Sequence, residues 1–190
     1  TIDSSTDVSS IESEGTIVLP AGQSLYLYGS QPSEFGTLQI TGGAALETDD
    51  DIHVNDSFVW EEGTVMGAGT FTVMGSATGL FNTAGGKTIN GITFTNAATT
   101  DWTDGNITLS NSADLVNSGT FNVPNNDFLG PASGGTFANS GDLVKGTGTT
   151  TTIDAPFANT GSVNISPGSI VFDDTFTSSN SVVVSSIGSM

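Results

Sequence analysis

The sequence predicts an all-β fold: a right-handed parallel β-helix, or β-solenoid, of about nine coils of 20–22 residues. Three observations carry that expectation. The first is a recurring phrase, clearest in Phe137-Ala138-Asn139-Ser140-Gly141 and Phe157-Ala158-Asn159-Thr160-Gly161. The glycines Gly119, Gly141 and Gly161 follow at intervals of 22 and 20, and Asn180 continues the series four residues after Phe176. The second is that the period reaches back: Ala98 stands 21 before Gly119, Gly15-Thr16-Ile17 and Gly36-Thr37-Leu38 are 21 apart, and Trp60-Glu61-Glu62-Gly63 is echoed by Trp102-Thr103-Asp104-Gly105. The third is local texture. Runs such as Thr70 to Val73, Ile107 to Leu109, Thr120 to Val123 and Val163 to Ile165 are short, alternating and rich in β-branched residues, with Gly, Asn, Asp, Ser or Pro between them. No long stretch keeps a helical period with caps. Right-handed coiling follows from the handedness of parallel crossovers.

Residues 1–14 precede the first anchor and are rich in Ser and acid. They are expected to form a cap or a strand that pairs with a neighbouring subunit, with Ile2, Val8 and Ile11 as its apolar contacts. Residues 15–190 are expected to be one solenoid domain. In its first coils, Leu25-Tyr26-Leu27-Tyr28 alternates as a strand with one aromatic face. The densest charge follows, and Asp49, Asp50, Asp51 and Asp56 offer hard oxygen ligands for calcium, although the ordered spacing of an EF-hand loop is missing. His53 has no partner His or Cys and reads as an ordinary surface or core residue.

In the middle of the chain, stacking places Trp60 and Trp102 in one column two coils apart, where they are expected to pack inward. The most regular part follows. Asn117, Asn139 and Asn159 occupy equivalent places, so an inward amide ladder is expected, each side chain bonding the coils above and below. The anchors Gly119, Gly141 and Gly161 are expected to mark a tight bend with a left-handed backbone, because Asn and Gly both tolerate one. Phe121, Phe128, Phe137, Phe157, Phe172 and Phe176 are expected to stack inward. The last segment carries Val182 and Val184, and its unpaired edge is expected to dock on another subunit or on further repeats.

Charge narrows the function. The net charge is −18, and the only cations among Lys and Arg are two lysines, Lys87 and Lys145. Nucleic-acid binding needs basic groups to replace counterions, so that class is excluded, and anionic membrane surfaces are disfavoured. No run is long enough to insert in a membrane, and without Cys no disulfide framework exists. The start at Thr1 reads as a processed product or an excerpt.

The phrases FANSG, FANTG and NSGTFNV resemble repeats of large bacterial secreted and cell-surface β-solenoid proteins, of the adhesin, filamentous-haemagglutinin and autotransporter-passenger type. The resemblance covers residues 57–184 and implies an extracellular elongated scaffold for adhesion or assembly. The regular repeat, the scarcity of catalytic side chains and the open ends point to a non-enzymatic structural or adhesive rod that assembles end to end with copies of itself or with flanking repeats. The alternatives are a carbohydrate- or calcium-binding module, or a polysaccharide-active enzyme working through a carboxylate pair such as Asp101 and Asp104.

Overall fold

A computed structural model describes residues 6–147 and 149–184. The first three coils have two strands each: β1 (Thr6–Val8) and β2 (Glu12–Leu19), β3 (Ser24–Leu27) and β4 (Ser33–Ile40), β5 (Ala44–Thr48) and β6 (Ile52–Trp60). From there each coil has three. They run β7 (Gly63–Gly67), β8 (Thr70–Val73) and β9 (Thr78–Phe81); β10 (Lys87–Asn90), β11 (Thr93–Asn96) and β12 (Thr99–Trp102); then β13 (Ile107–Ser110), β14 (Ala113–Asn117) and β15 (Thr120–Asn122). The chain finishes through β16 (Phe128–Pro131), β17 (Gly135–Asn139) and β18 (Asp142–Lys145); β19 (Thr150–Ile153), β20 (Phe157–Asn159) and β21 (Ser162–Ile165); and β22 (Ser169–Phe172), β23 (Phe176–Ser178) and β24 (Val182–Val184).

Every recorded strand pair is parallel, which makes the molecule a β-solenoid. The first face is a nine-stranded sheet running from β1 to β22. The other two faces belong to one forked sheet of 15 strands. The fork is β6: its first half pairs with β8 through Ile52–Phe71, and its second half with β9 through Ser57–Thr78. The long strands β2, β4 and β6 therefore cross a corner that later coils break into two strands. Both long pairings shift register there, between Ser13 and Thr16 and between Phe35 and Thr37.

Period-2 alternation turns every second side chain inward, and stacking turns equivalent inward residues into columns. Leu25, Leu46, Val65, Ile89 and Leu109 form one column on the first face. Ile52, Phe71, Phe94, Leu115, Phe137 and Phe157 form another on the second. On the third, Ile40, Trp60, Phe81 and Trp102 stack in order, so the two tryptophans share a column and face inward as expected. Trp60 meets Phe81 edge-on at 5.4 Å, and Phe71 lies flat on Phe94 at 4.9 Å. Each fully buried Phe or Leu contributes about 1.5–3 kcal/mol of transfer free energy, so the columns are the main stabilising element.

In the N-terminal segment β1 pairs with β3, and β2 starts at Glu12 and runs past residue 14. One expectation is corrected here. Phe128 does not stack inward. It is 38% exposed and its ring lies over the outer surface of Gly130, whose missing side chain leaves room for it.

Candidate functional site

Three corners connect the faces, and the one between the second and third faces is the most regular. Strand register aligns Thr16, Thr37, Ser57, Thr78, Thr99, Thr120, Asp142 and Ser162 in one outward column. The residues just before them are Gly15, Gly36, Asp56, Ala77, Ala98, Gly119, Gly141 and Gly161, so the anchors of the repeat share one place in the coil with Asp56 and Ala77. The expected left-handed backbone is absent at Gly119, Gly141 and Gly161, none of which has positive φ. Glycine is required there by close approach instead. A Cβ on Gly141 would stand 2.0 Å from the Gly119 carbonyl oxygen, and one on Gly161 equally close to that of Gly141.

Inside this corner the amide ladder is present and one rung longer than expected. Nδ2 of Asn96 donates to Oδ1 of Asn117 at 2.8 Å, Asn117 to Asn139 at 2.6 Å, Asn139 to Asn159 at 2.7 Å, and Asn159 to Oγ of Ser178 at 3.0 Å. The same amides also donate to the carbonyls of Gly119, Gly141 and Gly161, which ties each turn to its ladder residue. At the top, Oδ1 of Asn96 accepts from the hydroxyl of Thr100 and the amide of Ala98. Asn96 was legible in the same Phe-Thr-Asn phrase that gave the Ala98 anchor.

The corner between the third and first faces is irregular, with connections ranging from two residues after β6 to five after β9 and β15. It holds both lysines, each fully buried. Nζ of Lys87 donates to four backbone carbonyls: Glu61 at 3.1 Å, Thr83 at 3.2 Å, Gly85 at 3.0 Å and Asp104 at 3.0 Å. Nζ of Lys145 donates to the Asn125 carbonyl and to the hydroxyls of Thr149 at 2.9 Å and Thr151 at 3.0 Å. Burial lowers both ammonium pKa values; nearby carboxylates resist, Asp104 and Asp127 for Lys87 and Asp127 for Lys145. Asp127 lies near both lysines. Desolvation and the Asp104 charge raise its pKa against the opposing pull of the Gly105 amide and the two ammoniums, and its Oδ2 is buried without a partner.

The remaining sequence candidates fall in several places. The proposed calcium quartet is not assembled: Asp49, Asp50 and Asp51 lie at the corner between β5 and β6, whereas Asp56 lies within β6 at the fork, on a different corner. Asp51 accepts the Thr70 amide instead, and among the described residues no three Asp, Glu, His or Cys side chains converge to hold a metal. Asp56 borders a shallow groove of about 610 Å³ with Glu12, Glu14 and Glu34. There Glu34 accepts from His53 at 2.7 Å and from Asn55 at 2.9 Å; burial raises its pKa, but these two bonds and the His53 charge prevail and hold it below the usual value. Asp101 accepts from Asn122 on the outer surface of β12, while Asp104 accepts its neighbour's amide in the following turn.

At the two ends, Val8 and Ile11 are partly buried against the chain's own core, and Ile2 lies outside the described residues. Among the described residues no further strand pairs the outer edges of β1 and β2, or of β22, β23 and β24. Five large apolar side chains of the last coil are exposed: Val171, Phe176, Val182, Val183 and Val184, the last by 69%. Tyr28, on the first face near the opposite end, is 49% exposed and stacks on Tyr26 at 6.0 Å.

No protein family, curated protein or solved structure matches the chain.

Proposed function

We propose that the chain is a non-catalytic structural rod of an extracellular or cell-surface assembly, which stacks on a second copy of itself through its terminal coils. The observation that carries this reading is the last coil. Among the described residues no strand pairs the outer edges of its three strands, and Val182, Val184 and Phe176 expose the inner columns that every other coil covers with the next. The first coil, with the same three-faced section, supplies a matching surface. Edge pairing satisfies the backbone groups, and column continuity supplies the apolar burial. The resemblance of the repeat phrases to secreted solenoids supports the extracellular assignment.

Size-exclusion chromatography with light scattering, followed by negative-stain imaging, tests the assembly. The unmodified protein is expected to form rods longer than one molecule as concentration rises, and Val182→Lys with Val184→Lys to hold it monomeric. Single particles at every concentration and salt would remove the proposal.

Tyr26 and Tyr28 support a second reading, a carbohydrate-binding surface. Two nearly parallel rings, 14° apart, stand beside Glu47, giving a stacking platform with hydrogen-bond acceptors at its edge. Desolvation, then Glu47, Asp49 and Asp7, raise the Tyr28 phenol pKa. Titration with neutral and amino-sugar oligosaccharides should shift the ring resonances of these two tyrosines, the only two in the chain, and Tyr28→Ala should abolish binding.

A further inference from the structure

We infer that the corner around Lys87 is a monovalent-cation site whose resident cation is the chain's own ammonium group. Four carbonyl oxygens from three successive coils point at one position: Glu61 from the third, Thr83 and Gly85 from the fourth, and Asp104 from the fifth. An ammonium carries three N–H donors, so four oxygens at 3.0–3.2 Å surround it as a coordination shell would and exceed what one-to-one hydrogen bonding requires. All four are main-chain groups held by the stacked coils, so the cage does not depend on the lysine side chain for its shape. Its position is closed to solvent, since Lys87 is 0% exposed.

The size and charge of the cage define its ligand class. Calcium and magnesium take oxygen at about 2.0–2.6 Å and favour carboxylate ligands, whereas rings of backbone carbonyls replace the hydration shell of potassium. An oxygen shell at 3.0–3.2 Å therefore suits a large monovalent ion, ammonium or potassium, over a divalent one. Asp104, Asp127, Glu62 and Glu61 add a negative field, in that order of strength. Lys145 differs: its ammonium meets one carbonyl and two hydroxyls that can rotate and bond elsewhere, which is a hydrogen-bonded tie and no cage.

Two Lys87 substitutions separate the cage from ordinary packing. Lys87→Ala opens the space and leaves the oxygens; Lys87→Met fills it with an apolar chain of similar length. Melting temperatures are measured in sodium, potassium, ammonium and choline chloride at equal ionic strength. Lys87→Ala is expected to lose stability in choline and to recover at least half of that loss in potassium or ammonium. The unmodified protein, Lys87→Met and Lys145→Ala are expected to melt alike in all four salts. Crystals of Lys87→Ala soaked in rubidium chloride are expected to show the ion inside the four carbonyls. Equal melting of Lys87→Ala in every salt, or a variant that stays unfolded in all of them, would overturn the inference.

Discussion

Two corners of the same rod solve one problem in opposite ways. Each must satisfy the backbone groups freed where a strand ends and the chain turns. Between the second and third faces, one residue type repeats: Asn96, Asn117, Asn139 and Asn159 bond each other coil by coil, and glycines let successive turns approach closely. Between the third and first faces the connections differ in length, so no single side chain can repeat. There individual groups close the gaps: Lys87 gathers four carbonyls, Lys145 and Asn125 form a local network, and Trp102 donates to Gly105 at 2.6 Å. Regular spacing permits a ladder, and irregular spacing demands long, individually placed donors. The comparison also explains why Trp60, the partner of Trp102 in the repeat, has a buried Nε1 without an acceptor: only two residues follow it before the next strand.

The difference can be broken first at the ladder. Asn139→Leu leaves Oδ1 of Asn159 without its donor, at about 1–3 kcal/mol for a buried group, and takes the same donor from the Gly141 and Ser162 carbonyls, while the Asn117 amide keeps the Gly119 and Asp142 carbonyls. Denaturant titration should show this as the largest loss of the set, and the same method sharpens the glycine argument. Gly141→Ala drives a Cβ into the Gly119 carbonyl and should cost about 1–3 kcal/mol, the range for overpacking. Gly146→Ala, at the irregular corner, meets nothing within 4 Å and should stay within about 0.5 kcal/mol of the parent.

Smaller effects belong to the irregular corner and depend on pH. The folded pKa of Lys145 lies below its ordinary 10.5, so between those two values the unfolded chain binds more protons and stability rises with pH. Lys145→Met removes that slope. The stability difference between parent and variant should therefore widen as pH climbs toward 10.5, read by urea titrations at successive pH values. Asp127 has the opposite sign, with a folded pKa raised above 3.8, so its ionisation at neutral pH works against folding. Asp127→Asn should raise the melting temperature slightly at pH 7, and the gain should vanish as pH falls toward 3.8.

The regular corner was legible because it repeats. Phe-x-Asn phrases gave the ladder, and anchors at Gly15, Gly36, Ala98, Gly119, Gly141, Gly161 and Asn180 proved to be structurally equivalent positions. The physical reason for the glycines was misread, since sequence shows that a side chain is absent but cannot say whether φ or a neighbouring carbonyl forbids it. The irregular corner left no period to find. Its signal was parity: in Asp142-Leu143-Val144-Lys145 and Lys87-Thr88-Ile89, each lysine shares the inward phase of the buried Leu143 or Ile89. Lysine's ordinary preference for solvent masks that parity. The Asp49 to Asp56 cluster misled in the reverse direction, because neighbours in sequence are carried onto different corners as the strand passes between faces.

Enclosing both lysines changes how these rods meet one another. No lysine or arginine reaches the exterior, so the flanks present carboxylates alone, and two rods lying side by side repel over the full length of their contact. At about 0.1 M salt that repulsion fades beyond about 10 Å, and at lower ionic strength it reaches farther. Sideways bundling is therefore opposed along every face. In the proposed assembly, hiding the two amines would leave growth along the axis as the route with the apolar and edge contacts to offset charge.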